Sequence, residues 1–200
     1  MNTINIFKTR RSIRKYLPNK TPDKSNILQI LEAALWAPSA HNAQPWRFII
    51  IEKSEKKRKL AEAMASHWNK DMEADEVPEE ERKKLIDKSV KQFTNAPIII
   101  VVCLTMEDMH KYPDEERRKI EHTMAIQSVA AAIENILLAT HMKGLGACWF
   151  CAPLFCQETV RKLLGIPDYL EPQALVTLGY PAESPEAPPR KPLEEVVFWR

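Results

Sequence analysis

Residues 9–16 read TRRSIRKY and place four cationic side chains, Arg10, Arg11, Arg14 and Lys15, in eight positions. Like charges packed this closely repel one another, so the cluster calls for an anion beside it. That anion could be a polynucleotide, a row of surface carboxylates or one small phosphate. Arginine suits a phosphate, because its planar fork makes two parallel charge-assisted hydrogen bonds to phosphate oxygens. The chain has only four glycines (Gly144, Gly146, Gly165 and Gly179), no GxGxxG after a first strand and no GxxxxGK[ST]. A phosphate held here must therefore be held by side chains and not by a glycine-built loop.

A second stretch with chemical potential is PSAHNAQPW, residues 38–46. Ser39, Asn42 and Gln44 offer donors and acceptors suited to the polar edge of a planar heterocycle. The same residues also suit an ordinary helix-to-strand turn closed by Asx-type bonds, and local pattern leaves both readings open. Cys148-x-x-Cys151 invites a metal or redox reading. Zinc needs two further ligands, and Cys156 with a distant histidine is not a recognised spacing. A redox dithiol opens a helix, whereas Trp149 and Phe150 make this stretch strand-like. Buried structural thiols are the reading adopted. His41, His67, His110, His122 and His141 are scattered, with His122 and His141 read as ordinary helix residues. Ser39 lacks a nucleophile-elbow context. No metal site is expected.

The elements that must position these groups are bounded by the totals. The 200 residues suit a single domain, 1–200, and 44% hydrophobic content is that of a folded globular chain. Net charge is only +2, from 29 basic and 27 acidic residues, which argues against a polynucleotide partner. MNTINIFKTRR has no apolar core of signal-peptide length. The longest apolar run, Ile98 to Leu104, is far short of a membrane span, and the helix-like stretch Met124–Thr140 carries Gln127, Glu134 and Asn135. A cytoplasmic, non-membrane protein with reduced cysteines is expected.

Along the chain, Thr21-Pro22-Asp23 reads as a helix start, and Ile27, Leu31, Ala34 and Leu35 repeat at helical spacing up to Pro38. RFIII reads as a strand, and Ser54 opens a helix running to about His67 or Met72. Residues 69–92 read as a solvated helix with a loop around Val77-Pro78. IIIVVCL reads as a central, fully buried strand. Residues 117–142 read as a long helix whose alanines allow close backbone approach, ended at Gly144 by a left-handed cap. GACWF, CQETVRKLLGI and QALVTLGY follow as strand, helix and strand. PAESPEAPPRKP holds five prolines in twelve residues and must run extended over a surface. The apolar end LEEVVFWR suggests an arm that reaches a second subunit. Helices on both faces of one sheet are expected.

Taken together, RRSIR, APSAHNAQPWRF, GLGACWF, TLGYP and RKPLEEVV resemble, in order and spacing over essentially the whole chain, the FMN-dependent nitroreductase family. Trp68-x-x-Asp71 and the CWF stretch look most like the flavin domain fused to deazaflavin (coenzyme F420) gamma-glutamyl ligases. The resemblance implies an α+β fold, a nitroreductase-like three-layer α-β-α sandwich with a central mixed, mostly antiparallel sheet and a domain-swapped C-terminal arm. It implies a homodimer with FMN at the subunit interface. Arg10, Ser12 and Arg14 then match phosphate and ribityl contacts, with Arg11 near the ring or facing the interface. Arg190 and Lys191 match a second phosphate clamp. Ser39 matches a position reaching the flavin from the partner, flanked by Asn42 and Gln44. Asp71 matches a polar position near the ring, and Cys151 and Ala152 stand where the family presents a backbone N–H to flavin N5. Many relatives have glycine there, and a cysteine serves only at a compatible φ.

The implied function is FMN-dependent NAD(P)H oxidoreduction, in which NADH or NADPH reduces the flavin and leaves before a small-molecule electron acceptor enters. Nitroaromatics, quinones or another flat acceptor are the expected oxidants. No catalytic side chain is named, because the flavin carries the electron chemistry. Two alternatives are an oxidoreductase acting on a deazaflavin cofactor and a non-catalytic FMN carrier or sensor.

Overall fold

The computed structural model describes residues 4–200. Its centre is strand β2, Ile98–Thr105, in which all eight residues are buried; the other three strands of the sheet are β1 (Trp46–Ile51), β3 (Gly146–Phe150) and β4 (Leu170–Gly179). Successive side chains of a strand point to opposite faces. Ile98, Ile100, Val102 and Leu104 therefore enter one core, and Ile99, Val101 and Cys103 enter another. A strand apolar on both faces needs a layer on each side, which is why the chain builds three layers.

The strand order is β1-β2-β4-β3, with every neighbouring pair antiparallel. The mixed sheet expected from sequence is thus antiparallel through its four strands. Its parallel component is one isolated bridge, Ser12 to Ala147. Strand β4 begins three residues before the expected QALVTLGY, because Leu170 still pairs with Thr105. A register shift at Val102/Cys103 absorbs the extra residue.

One face is covered by helices α2 (Lys24–Leu35) and α5 (Glu115–Met142), whose Ile27, Ile30, Ala34, Ala125, Val129 and Ile133 fill the first core. The other is covered by α3 (Ser54–Ala74), α4 (Glu79–Thr94) and α6 (Gln157–Leu164), contributing Leu60, Ala61, Met64, Phe93 and Val160. Helices α3 and α4 form a hairpin turning at the expected Val77-Pro78. Helix α5 is long and apolar enough by composition to cross a membrane, yet its alanine- and isoleucine-rich side packs on the sheet. Two short helices, α1 (Ile4–Thr9) and α7 (Leu193–Val196), lie at the ends and have no buried residue.

Local chemistry sets the boundaries. The cap of α2 is Asp23, whose carboxylate accepts the Asn26 N–H at 2.8 Å and the Ser25 hydroxyl at 3.0 Å. These bonds hold the carboxyl below the usual aspartate range. Helix α5 ends as expected, with Gly144 at φ +69° and the Leu145 N–H bonded to the Thr140 carbonyl at 3.1 Å. Buried Lys57 donates to the Pro97 carbonyl at 3.0 Å and to the Ala96 carbonyl, tying α3 to the start of β2. Desolvation lowers its pKa.

Two glycines sit where no side chain fits. A Cβ at Gly146 would lie 2.8 Å from Ile13 Cβ, and one at Gly179 would lie 2.6 Å from Pro97 Cγ. Both neighbours are stiff, so Gly146→Ala and Gly179→Ala should each lower stability by about 1–3 kcal/mol. Urea unfolding midpoints check this, and unchanged midpoints would contradict the packing described.

Candidate functional site

The arginine segment leaves α1 and is pinned along β3. Ser12 bridges to Ala147, the Ile13 N–H donates to the Ala147 carbonyl at 2.9 Å, and the Ile13 side chain is buried against Gly146. Tyr16 fastens the other end, its hydroxyl 2.6 Å from the Ile13 carbonyl and 2.7 Å from Thr177 Oγ1. Burial raises the Tyr16 pKa, so the hydroxyl stays protonated and able to donate. Glu183, far along the chain, accepts the backbone N–H groups of Arg14 at 2.7 Å and Lys15 at 3.1 Å. The apolar and backbone parts are thus anchored while the cationic ends project.

Those cations are poorly neutralised within the chain. Arg10 reaches Glu134 only at 3.9 Å, and among the described residues no carboxylate pairs with the Arg14 or Lys15 side chain. Arg11 turns back onto the carbonyls of Lys8 (2.8 Å) and Arg10 (2.6 Å). Beside them opens a pocket of about 230 Å³ lined by Thr9, Arg10, Arg11, His141, Gly144 and Glu183, among others. His141 Nε2 lies 2.9 Å from Thr9 Oγ1. Burial first, then the charges of Arg10 and Arg11, hold its pKa below the ordinary value. His141, the Thr9 hydroxyl and the Arg10 guanidinium, held only loosely by Glu134, form a set that fits a phosphate.

The Cys148 thiol is buried in β3 under this segment, near Ser12, Arg14 and Arg10. Burial raises its pKa, with the arginine charges and the Ser12 hydrogen bond opposing. Cys103 and Cys156 are buried too, and burial pushes the Cys103 thiol up to about 12. The exception to the buried-thiol reading is Cys151, which is exposed because the β3–β4 ladder ends one residue earlier, at Phe150–Leu175. Cys151 has φ −93° and ψ 14°, a conformation open to any L-residue, so glycine is not required there. Ala152 then starts a short 3₁₀ turn, Ala152–Phe155.

Ala147 and Cys151 are four residues apart on an extended strand, or about 13 Å. At the Cys151 end lies a second, largely apolar pocket of about 530 Å³. It is lined by Trp68 and Asp71 of α3 together with Phe93, Phe150, Ala152 and Phe155. Arg10, Ser12 and Arg14 thus lie at the start of the edge strand β3 and Cys151 and Ala152 at its end, with the first pocket against α5 and the pocket holding Asp71 against α3 and α4.

The loop carrying Ser39, Asn42 and Gln44 lies elsewhere. Ser39 Oγ accepts the Gln44 N–H at 3.1 Å, and the Ala40 N–H donates to Ser128 Oγ of α5 at 3.1 Å. His41, Asn42 and Gln44 all have left-handed backbone, at φ 57°, 53° and 48°. Such strain in three non-glycine residues of four costs about 1–3 kcal/mol each and concentrates at functional sites. Ser128 and His141 are thirteen residues apart on α5, about 20 Å along its axis. One chain therefore does not bring this loop to the arginine pocket. Arg190 and Lys191 also stand apart, on the extended exposed tail, with no ion pair to a described residue.

Two participants escaped sequence reasoning. Glu183 touches Arg14 from 169 positions away, and nothing in the proline-rich tail marks it out. His141 read as an ordinary helix residue, and only the fold brings it to Thr9. Its environment is testable. In flavin-free protein His141 should titrate below about 6.5 by NMR, and replacing Arg10 or Arg11 with alanine should move it upward. Because its folded pKa is depressed, its contribution to stability is present above the unfolded value and is lost as pH falls below it. A His141 that titrates normally and ignores both arginines would contradict this geometry.

The sequence matches the Nitroreductase family over residues 7–180. It is 33% identical over 218 residues to the NADH dehydrogenase of Thermus thermophilus, covering 96% of this chain and 92% of that protein. In structure it resembles a nitroreductase-like protein of Desulfovibrio desulfuricans in complex with FMN, with a TM-score of 0.75, 27% identity and coverage of 100% and 97%. It also shares its fold with a BluB-like flavoprotein of Clostridium difficile, with a TM-score of 0.81, 23% identity and coverage of 100% and 99%. The chain belongs to the nitroreductase family.

Proposed function

We propose that this protein is an FMN-dependent NAD(P)H oxidoreductase that works as a homodimer, with each flavin site assembled from two chains. The observation that carries the reading is the pinning of Ser12 and Ile13 on Ala147, which sets poorly neutralised arginines at one end of β3 and Cys151–Ala152 at the other. An elongated mononucleotide fits such a track, with its phosphate at the cationic end and its planar ring at the far end. When bound, FMN supplies the chemistry that accepts hydride from NADH or NADPH and delivers electrons to an acceptor.

This chain's residues bind and orient. Arg10, Ser12 and Arg14 hold the phosphate and ribityl oxygens, and Arg11 stiffens the segment through its two carbonyl bonds. The Cys151 and Ala152 amides face the ring edge. Ser39, Asn42 and Gln44 come from the second subunit, as do Arg190 and Lys191 on the arm. Two features support the dimer. Trp36 is 83% exposed and Trp199 94% exposed, with Leu28, Leu35, Ile120, Leu193 and Phe198 also solvent-facing, an apolar load unusual for a monomer. In addition, every residue of the tail beyond Pro185 is exposed. We take residues 1–200 as one cytoplasmic unit with no nucleic-acid role.

The acceptor enters over the same ring, at the pocket lined by Trp68, Asp71, Phe150 and Phe155. Its aromatic walls, with the carboxylates of Asp71 and Asp75, favour a flat acceptor such as a nitroaromatic or quinone. The Trp68–Asp71 pair in this position supports a second reading, in which the planar partner is a deazaflavin, as in the ligase-fused flavin domains.

Anaerobic addition of NADH or NADPH should bleach the visible flavin absorption of the purified protein, and an acceptor should restore it. A bound flavin that neither nucleotide reduces would contradict the NAD(P)H reading and favour reduced deazaflavin or a carrier. Arg14→Ala combined with Arg190→Ala should weaken FMN binding at least about a hundredfold, at about 1.5–3 kcal/mol per charge-assisted bond. Full flavin occupancy in that double variant would overturn the phosphate assignment.

A further inference from the structure

On the face of the molecule built by the 38–44 loop, Glu121 of α5 is only 4% exposed. Among the described residues no lysine or arginine pairs with it. A buried carboxylate without a cation is costly, so a positive partner is expected beside it. What surrounds it is two imidazoles. Glu121 Oε1 lies 3.2 Å from His41 Nε2, and Oε2 accepts the His110 backbone N–H at 3.3 Å. The His110 ring stacks on His41 with centroids 3.7 Å apart and planes inclined by 20°. One ligand atom from each of the three side chains falls within 4.8 Å of the others.

The scaffold holds this arrangement from several directions. The left-handed backbone of His41 lies beside the Ala40 N–H that is fixed to Ser128 Oγ. Tyr112 packs edge-on against the His110 ring, with Arg117 over the tyrosine face. A single bound cation would serve all three groups at once.

We propose that His41, His110 and Glu121 form a binding site for a divalent transition-metal ion of the zinc class. Two imidazoles and one carboxylate are a recurrent ligand set for zinc and for its neighbours in the first transition series. Bonds of about 2.0–2.2 Å place adjacent tetrahedral ligands about 3.3 Å apart. The His41–Glu121 spacing is already close to that value, and His110 completes the set by turning out of the stack, since parallel rings cannot aim both lone pairs at one ion. The backbone N–H of His110 on Oε2 leaves Oε1 to the metal, an outer contact that orients the ligand. Magnesium and calcium, which demand oxygen donors, fit poorly. The remaining coordination position is left to water or a small anion. The ion would brace the strained 38–44 loop.

The test uses tag-free, chelator-treated protein titrated with Zn²⁺ by calorimetry and with Co²⁺ by visible absorption. The expected result is one ion per chain, cobalt bands of a low-coordinate nitrogen and oxygen site, and no competition from Mg²⁺. His110→Ala and Glu121→Gln should each weaken binding at least about tenfold, and His110→Ala, being a loop change, remains informative if the helix variant folds poorly. Three outcomes would overturn the assignment: no saturable binding, binding undiminished in His110→Ala, or cobalt thiolate charge-transfer bands that place the ion on cysteine.

Discussion

The structure turns on how a self-repelling basic segment is kept in place. Four cations between positions 10 and 15 would leave the surface if only their charges were considered. They are held because the backbone and apolar atoms between them are bonded elsewhere: Ser12 and Ile13 to Ala147, Ile13 into the notch left by Gly146, and two N–H groups to Glu183. The anchoring uses none of the guanidinium groups of Arg10 and Arg14. That separation leaves charge available for an anion and converts a local liability into a preorganised binding edge.

A second constraint follows from α5. The helix sets a ruler between its Ser128, which grips the polar loop, and His141, which faces the arginine pocket. The two halves of the proposed cofactor site are therefore separated in one chain and can meet only across a two-fold interface. The same logic covers the tail, whose Arg190 and Lys191 form no ion pair with a described residue and whose apolar end is exposed. Dimerisation, in this account, completes the site as well as covering exposed tryptophans.

Much of the fold was legible because its strongest signals are local. IIIVVCL has no polar alternation, so its burial on both faces could be read directly, and Gly144 and Gly165 mark helix ends where φ is positive. Helix α1 was not legible, since six residues with exposed Ile4 and Phe7 carry no periodic pattern. The arginines of the proposed site declared themselves by charge density, and Asp71 was proposed from a motif. Glu183 and His141 did not, nor did the His41–His110–Glu121 cluster, because each depends on contacts across 80 to 169 positions or on a ring stacking set by the fold. The exposed Cys151 was misread with its buried neighbours, because where a ladder stops is a property of the partner strand.

The central claim, a flavin site shared between two chains, is tested most directly by complementation. One variant loses its basic half by Arg10→Ala and Arg14→Ala, and the other loses its loop half by Ser39→Ala and Gln44→Ala. Each alone should retain little FMN. In a refolded equimolar mixture, mixed dimers pair one intact basic half with one intact loop half, so about one quarter of all sites should bind FMN normally under random pairing. Recovery near that fraction is the predicted result. If the mixture binds no more FMN than the two variants separately, each site lies within a single chain and the account is wrong.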